Sequence, residues 1–202
     1  MRGLFVTGTD TGVGKTVLSA ALMLRYPEAT YWKPIQTGPD DDTAEVRRLS
    51  SGRVIYEGIR LPDPVSPHLA ARLVEMTIDL DPLVSQVRTA PLIVEGAGGV
   101  LVPVNDSQTM IDLMALLGLP VIVAARTTLG TINHTLLTVE ALRARELRIA
   151  GVVMIGDGNA DNRAAIEHYG NVSVVAEMPR LDPLTPESLR AWAQTLPKDL
   201  IT

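Results

Sequence analysis

The sequence predicts a single-domain α/β fold, in which helices cover both faces of a doubly wound, mainly parallel sheet. The first observation is a series of short, continuous apolar runs, because strands buried on both faces lack the strict alternation of half-exposed strands. The second is that helical stretches lie between these runs and are mostly bounded by Pro, Gly, Ser or Asp. The third is length, since 202 residues can bury one sizeable core and no linker or repeat divides them.

The predicted elements alternate along the chain, beginning with a strand. The strands are apolar and cover 4–6, 31–32, 92–94, 121–125, 152–155 and 174–176. The helices cover 16–25, 43–49, 68–74, 82–87, 110–117, 133–145 and 163–168. A last helix is predicted over 183–197. Alternation of this kind is typical of strand–helix–strand units with parallel strands.

The composition excludes several classes of function. There is no cysteine, which excludes disulfides, thiolate metal sites and a cysteine nucleophile, and is compatible with a reducing cytoplasm. A net charge of -5 without a basic stripe argues against nucleic-acid binding. The most apolar long run, 113–125, is interrupted by Gly118 and Pro120 and is too short for a membrane span, and the N-terminus lacks the apolar region of a secretory signal. We therefore expect a cytoplasmic protein that binds neither nucleic acid nor a membrane.

A glycine-rich stretch, GTDTGVGKT at 8–16, follows the first strand and has the features of a phosphate-binding loop. Gly8, Gly12 and Gly14 allow backbone N–H groups to turn inward. Lys15 supplies a positive charge, and Thr16 opens a helix whose positive end faces the same point. The loop is a variant of the usual G-x-x-x-x-G-K-[ST] pattern, because a threonine stands at the first glycine position and Gly8 lies one residue earlier. The sequence therefore predicts a fold of the P-loop NTPase type.

Two further stretches place charged residues at the edge of the sheet where ligands bind. In YWKPIQTG, Lys33 follows a predicted strand, and Pro34 forces an extended exit that leaves the ammonium at the carboxyl edge. In LIVEGAGG, Glu95 is expected to end an apolar strand, at a position that suits a magnesium carboxylate in P-loop enzymes. The alternatives are a surface lysine and a carboxylate that caps the next turn.

The acidic run DDDTAEV has two interpretations. Asp40, Asp41 and Asp42 precede a short predicted helix, where carboxylates are favourable as a solvated N-cap. Alternatively, one of the three reaches the metal.

Five blocks together resemble dethiobiotin synthetases, the ATP-dependent enzymes of biotin synthesis. They are VTGTDTGVGKT, KPIQTG, SPH at 66–68, VEGAGG, and LGTINHTLLTVEAL at 129–142, in an order that spans most of the chain. The resemblance implies three substrates: ATP, CO2 or bicarbonate, and 7,8-diaminopelargonic acid. One amine takes up CO2 as a carbamate, the carbamate attacks the γ-phosphate of ATP to give a carbamic-phosphoric anhydride, and the second amine closes the cyclic urea. The implied products are dethiobiotin, ADP and phosphate.

The resemblance also implies two lysines that screen anions and a bound Mg2+. Lys15 would contact the β- and γ-phosphate oxygens of ATP, and Lys33 would lie beside the carbamate and the γ-phosphate. Thr11 would complete the catalytic set. The implied metal ligands are Thr16, Asp42 and Glu95, whose oxygen donors suit Mg2+. Asp41 is the alternative to Asp42.

The remaining implied contacts fall into three groups. Nucleotide contacts are Asp10, Thr11, Gly12, Val13, Gly14, Lys15, Thr16, Val17, Gly156, Pro179 and Leu181. Substrate contacts are Thr37, Ser66, Pro67, Glu95, Gly96, Ala97 and Gly98. Substrate contacts at a helix start are Gly130, Thr131 and Asn133, which in this family come from the other subunit of a homodimer and would bind the substrate carboxylate. Apart from the resemblance, Ser66 and Pro67 are a capped helix start, and GTINH is an ordinary one.

Two positions depart from the family pattern. Ile155 and Gly156 stand where an asparagine is expected to read adenine, which leaves the base specificity open. Gly12 replaces an acidic residue of some relatives, which removes one contact to the substrate amines and predicts lower diamine affinity.

Rival interpretations come from other classes of protein. A P-loop switch ATPase of the partition or positioning type carries a lysine five residues before the loop lysine, where this chain has Asp10. A ligase acting on a corrinoid carboxylate carries a glutaminase domain with a cysteine nucleophile, for which this chain has neither the length nor the cysteine. A binding module without catalysis would not need Lys33 and Glu95 together at the sheet edge.

Overall fold

Parallel strands form the centre of the computed structural model, which describes residues 2–55, 58–87 and 91–201. The strands are β1 (Gly3–Gly8), β2 (Thr30–Trp32), β3 (Ile35–Thr37), β4 (Arg53–Ile55), β5 (Ile59–Leu61), β6 (Leu92–Gly99), β7 (Val121–Arg126), β8 (Ile149–Ile155) and β9 (Val174–Met178). The helices are α1 (Lys15–Arg25), α2 (Asp42–Ser50), α3 (Pro67–Leu73), α4 (Leu80–Ser85), α5 (Met110–Leu117), α6 (Thr131–Ala144), α7 (Ala160–Gly170) and α8 (Pro186–Ala193). Among the described residues, seven strands form one sheet in the order β4-β2-β6-β1-β7-β8-β9, and β3 pairs separately with β5. All of these pairings are parallel, which confirms the predicted doubly wound α/β class.

Helices cover both faces of the sheet, because successive side chains of a strand point to opposite faces. In β1, Leu4 and Val6 are buried in a core with α1, α2 and α8. Phe5, between them, is buried in a second core with residues of α3 to α7. Strands buried in this way carry the continuous apolar runs from which the sheet was predicted. No helix in the described part of the chain is long and apolar enough to cross a bilayer.

The structure differs from the sequence prediction at four strands. β3, β4 and β5 were not predicted, because each has only three residues, and β4 consists of one exposed and two half-buried residues. The expectation that Glu95 ends its strand is wrong. β6 continues to Gly99, which pairs with Gly8 of β1, because glycines without side chains allow the two backbones to stay side by side.

The C-terminal segment packs against α1. The helix predicted over 183–197 is shorter, since α8 begins after the N-cap Thr185 and ends at Ala193. Beyond it, the Tyr26 hydroxyl donates a hydrogen bond of 2.7 Å to the carbonyl oxygen of Pro197. Leu200 and Ile201 are buried in the core that contains α1. This segment therefore closes one face of the sheet.

The predicted site residues lie together at the carboxyl edge of the sheet. β6 lies between β1 and β2. The glycine-rich loop follows β1, Lys33 follows β2, and Glu95 lies within β6. Because parallel strands end at the same edge, these three features meet although they are far apart in the sequence.

Candidate active site

The glycine-rich loop connects β1 to α1 in the geometry of an anion site. Gly14 precedes the helix with a φ of 98°, a left-handed conformation that L side chains rarely adopt. Gly8 has no space for a side chain, because an added Cβ would lie 2.6 Å from Cγ2 of Val13. Lys15 Nζ donates to the carbonyl oxygen of Asp10 at 3.0 Å and so closes the loop. The lysine and the N-terminus of α1 therefore lie on the same side of the loop, as phosphate binding requires.

Lys15 is held in an environment that disfavours its charge. Its side chain is buried, and burial, followed by the charge of Lys33, lowers its pKa to about 8. A polyphosphate bound to the loop would bring negative charge close to the ammonium and favour the protonated form.

Lys33 is the centre of a buried ion cluster. Its Nζ lies 2.7 Å from Oδ2 of Asp42 and 2.9 Å from Oε1 of Glu95, and it also donates to the carbonyl oxygen of Gly96 at 3.2 Å. Burial alone would lower the pKa of Lys33, but Glu95 and Asp42 outweigh burial and raise it. Burial would likewise raise the pKa of Asp42, but Lys33 outweighs it and lowers that pKa. The pair is therefore ionised at neutral pH.

Three oxygen atoms converge beside this cluster. Thr16 Oγ1 lies 3.0 Å from Oδ1 of Asp42 and 3.1 Å from Oε1 of Glu95. Within the described residues, no group of three or more His, Cys, Asp or Glu could hold a metal ion. Mg2+ at phosphate sites is usually held by one or two carboxylates together with phosphate oxygens and water. Two carboxylates and a hydroxyl therefore fit Mg2+ bound together with a nucleotide.

Asp41 and Asp42 have different surroundings. Asp41 accepts a hydrogen bond from the backbone N–H of Ala44 at 2.9 Å, which caps α2, and it pairs with Arg60 at 2.8 Å. Asp42, the first residue of α2, turns toward Thr16 and Lys33. Of the two carboxylates, only Asp42 lies beside the other predicted metal ligands.

The second oxygen of Glu95 has partners that the sequence did not indicate. Oε2 accepts hydrogen bonds from Ser19 Oγ at 2.9 Å and from the Tyr31 hydroxyl at 3.0 Å. Burial, followed by the charge of Glu95, raises the pKa of Tyr31 well above its usual value, so the phenol stays a donor. Two spacings could have revealed these residues. Ser19 is one helical turn from Thr16, and Tyr31 is two strand positions before Lys33.

A cavity of ≈ 620 Å³ joins the loop to the charged cluster. The predicted residues that line it are Thr11, Gly12, Gly14, Lys15, Thr16, Val17, Lys33, Thr37, Asp40, Asp42, Ser66, Pro67, Glu95, Ala97 and Gly98. Ser66 is the N-cap of α3, and its hydroxyl lies 3.0 Å from Nδ1 of His68. The cavity therefore combines most of the predicted phosphate, metal and diamine contacts.

Some predicted residues lie outside this lining. They are Asp10, Val13, Gly96, Gly130, Thr131, Asn133, Gly156, Pro179 and Leu181. Gly130 is the N-cap of α6, and Asn133 is exposed. Other residues of α6, namely His134, Leu137 and Thr138, line a second concavity of ≈ 390 Å³ together with the loop and residues 99–103. The described chain alone does not bring the start of α6 into the main cavity.

Two asparagines follow the region expected to read the base, and both make hydrogen bonds within the protein. The Gly156 N–H donates to the carbonyl oxygen of Met178 at 2.9 Å. Farther along, Asn159 Oδ1 caps α7, and Asn162 Nδ2 donates to the carbonyl oxygen of Thr127 at 2.9 Å. Both asparagines lie after the position where the adenine-reading asparagine is expected.

Arg126, at the end of β7, contacts the phosphate loop and was not predicted. Its guanidinium donates to the carbonyl oxygen of Thr11 at 2.9 Å and lies 3.2 Å from Oδ2 of Asp10. A Cβ added at Gly12 would lie 3.9 Å from Arg126 Nη2. The region of Gly12 is therefore bordered by a positive charge. The sequence feature that could have identified Arg126 is a basic residue at the carboxyl end of a predicted parallel strand.

The fold and the site together define a P-loop nucleotide-binding enzyme. A family model described as "AAA domain" matches residues 2–188. Solved structures share the fold. The cell division ATPase MinD of Pyrococcus furiosus has a TM-score of 0.62 at 14% identity, covering 96% of this chain and 98% of that one. A ParA family ATPase from Chlorobium tepidum has a TM-score of 0.55 at 13% identity, covering 96% and 90%.

Similarity to curated proteins is much closer. The chain is 53% identical to the ATP-dependent dethiobiotin synthetase BioD of Paramagnetospirillum magneticum, covering 92% of this chain and 91% of the relative. It is 50% identical to the BioD of Rhodopseudomonas palustris, with 93% and 91% covered. It is 48% identical to the biotin biosynthesis bifunctional protein BioCD of Bordetella avium, of which it spans only 43%. The chain belongs to the ATP-dependent dethiobiotin synthetase family.

Proposed function

We propose that this protein is an ATP-dependent cyclo-ligase. It would carboxylate 7,8-diaminopelargonic acid with CO2 and close the ring to dethiobiotin, with release of ADP and phosphate. The observation that carries the proposal is the position of Lys33, a buried ammonium between two carboxylates in the cavity that also contains the phosphate loop. A protein that only bound nucleotide would gain nothing from a buried ion cluster at that place.

The chemistry requires two anions to approach each other, namely the carbamate and the γ-phosphate. Lys15 would neutralise the β- and γ-phosphate oxygens, and the backbone N–H groups of the loop would hold the phosphates. Lys33, together with Thr11, would stabilise the negative charge that develops where the carbamate oxygen attacks phosphorus. Cations fixed in advance in a buried site need no reorganisation during the reaction, which is why they lower the barrier more than they would in water.

The carbamic-phosphoric anhydride would then react with the second amine of the substrate within the same cavity. Attack of the second amine on the carbonyl carbon would break the bond to the phosphate oxygen and close the five-membered urea. Thr37, Ser66 and Pro67 would position the diamine, with two hydroxyls that can donate or accept. Closure within the cavity would protect the anhydride from water.

Thr16, Asp42 and Glu95 would hold Mg2+, supported by the convergence of their oxygens. When bound, Mg2+ supplies positive charge that neutralises the transferred phosphoryl group. Asp42 is proposed over Asp41 because Asp41 is engaged with the cap of α2 and with Arg60.

The substrate carboxylate is proposed to bind at the start of α6 of a second subunit in a homodimer. Support comes from Gly130, Thr131 and Asn133, which lie outside the main cavity of their own chain. The helix start offers the positive end of the helix dipole and the N–H groups of its first turn, apart from that of Thr131, which donates to the carbonyl oxygen of Thr128 at 3.1 Å. Gly156, Pro179 and Leu181 would face the base of the nucleotide. Separately, we propose a cytoplasmic location, because the chain has no cysteine that would require an oxidising compartment.

The experiment is to measure ADP release with each substrate omitted in turn. The proposal expects release only when ATP, Mg2+, bicarbonate and diaminopelargonate are all present, with dethiobiotin formed in equal amount. Strong ADP release without diamine and bicarbonate would instead support a switch ATPase of the kind whose fold this chain shares.

A further inference from the structure

The two oxygens of Glu95 face different parts of the protein. Oε1 lies toward the site, 2.9 Å from Lys33 Nζ and 3.1 Å from Thr16 Oγ1. Oε2 lies toward the interior, where Ser19 and Tyr31 bond to it. Because Glu95 is only 1% exposed, solvent cannot replace these partners.

The direction of the two interior hydrogen bonds is unambiguous. A carboxylate can only accept, so both hydroxyls donate to Oε2. Ser19 and Tyr31 are fully buried, and a rotated carboxylate would leave both without their acceptor. The orientation of Glu95 is thus fixed from behind by two side chains that do not line the cavity.

Three elements meet at this carboxylate. Ser19 belongs to α1, one turn beyond Thr16, and Tyr31 belongs to β2, where it pairs with Ile93 of β6. Glu95 follows two residues later on the same strand. The hydroxyls therefore set the position of the carboxylate relative to both the phosphate loop and Lys33.

We propose that Tyr31 and Ser19 are positioning residues that present a single oxygen of Glu95, Oε1, to the Mg2+ of the nucleotide site. This inference rests on the proposed magnesium site and extends it to residues outside the cavity. Partners behind a metal ligand typically change metal affinity by about 10- to 100-fold when they are removed. Since Tyr31 is one of two donors, the lower value is the expected one.

The test measures how strongly Mg2+ assists nucleotide binding. Titration calorimetry gives the Kd of a non-hydrolysable ATP analogue with excess Mg2+ and with EDTA, and the ratio of the two is the magnesium coupling. Tyr31→Phe keeps the ring that packs in the core and removes only the hydroxyl. The coupling should fall about tenfold while the Kd in EDTA stays unchanged. Ser19→Ala, a second small change at the same oxygen, should act in the same way.

A matched control exists in the same core. Tyr26 is also buried and packs in the cluster that contains Tyr31, but its hydroxyl bonds to Pro197. Tyr26→Phe should lower the melting temperature and leave the magnesium coupling at the wild-type value. A purely structural role of Tyr31 would make the two variants behave alike.

The inference is overturned if Tyr31→Phe and Ser19→Ala both keep the wild-type coupling, or if the coupling falls equally in Tyr26→Phe. Neither result would contradict the proposed metal site, because the magnesium coupling of the wild-type protein tests that site separately in the same series. A wild-type protein whose nucleotide affinity is independent of Mg2+ would overturn the metal site and this inference together.

Discussion

Replacing Lys33 by Met tests the buried ion cluster directly. Methionine keeps most of the apolar stem and removes the ammonium that lies between Asp42 and Glu95. The change leaves two carboxylates facing each other without a cation, Glu95 almost fully buried and Asp42 with 22% of its side chain exposed. The folded protein without ligands should therefore lose stability.

The expected loss follows from the burial of the cluster. Removing one partner of a buried ion pair costs about 3–5 kcal/mol, and the partial exposure of Asp42 favours the lower end, about 3 kcal/mol. With a urea dependence of about 2 kcal/mol/M, the unfolding midpoint at pH 7 should fall by about 1.5 M. Urea titration followed by circular dichroism measures it.

Lys15→Met is the matched control. The pKa of Lys15 is lowered to about 8, so folding disfavours its charged form, whereas that of Lys33 is raised. Removing the Lys15 ammonium should leave the urea midpoint unchanged or raise it. Equal midpoints for the wild type and Lys33→Met, or equal losses in the two variants, would refute the assignment of Lys33 as the ion-paired lysine.

The pH dependence of the Lys33→Met deficit follows from the directions of the two pKa shifts. The lowered pKa of Asp42 adds stability above its ordinary 3.8, which is lost as the pH falls through the folded value. The raised pKa of Lys33 adds stability below its ordinary 10.5, which is lost as the pH rises through the folded value. The deficit should therefore be largest near neutral pH, shrink as the pH falls below 3.8, and shrink again as the pH rises above 10.5.

Other predictions concern binding and catalysis. If bound phosphates keep Lys15 charged, binding of an ATP analogue should be coupled to proton uptake near pH 8, and its affinity at pH 9 should be about tenfold weaker than at pH 7. Calorimetry in two buffers measures both effects, and an affinity that is constant between these pH values would contradict this prediction. Lys15→Ala and Lys33→Ala should each lower turnover by a factor on the order of 10²–10³, whereas near-normal turnover in a folded variant would remove that lysine from the mechanism. Because Gly156 has no side chain to read adenine, steady-state rates with CTP and GTP should lie within ~100-fold of the ATP rate, and stronger rejection would indicate base reading by backbone groups. Co-expressing Lys15→Ala with Asn133→Glu should restore activity at about a quarter of the sites, because about half of the dimers are mixed and each mixed dimer has one site without either substitution. Mixed dimers that are no more active than the two parent dimers would indicate that the site lies within one chain.

The sequence predicted the parts of the site that depend on local chemistry. The spacing of glycines around Lys15 is sufficient to identify the loop, because a strand, a tight turn and a helix start are encoded within a few residues. Lys33 and Glu95 were found because charged residues after apolar runs are expected at the carboxyl edge of a parallel sheet. The family resemblance then supplied the roles that spacing alone left open.

The parts that the sequence missed depend on contacts between distant elements. Ser19 and Tyr31 are an ordinary helix serine and strand tyrosine until β2 and α1 pack on either side of Glu95. The proposed preference for Asp42 over Asp41 depends on Arg60, which pairs with Asp41, follows it by nearly twenty residues and belongs to the unpredicted strand β5. Strands as short as β5 are stabilised only by hydrogen bonds to neighbouring strands in the tertiary structure, so no local sequence pattern predicts such strands.

The central claim is that a carbamate oxygen attacks the γ-phosphate of ATP. Bicarbonate labelled with ¹⁸O, mixed rapidly with enzyme, MgATP and diaminopelargonate and quenched within seconds, tests it by mass spectrometry of the released phosphate. Ring closure breaks the bond between carbon and the bridging oxygen, so each phosphate should carry one oxygen from the bicarbonate. Phosphate that instead contains one oxygen from solvent water, with none from bicarbonate, would contradict the account and indicate simple ATP hydrolysis.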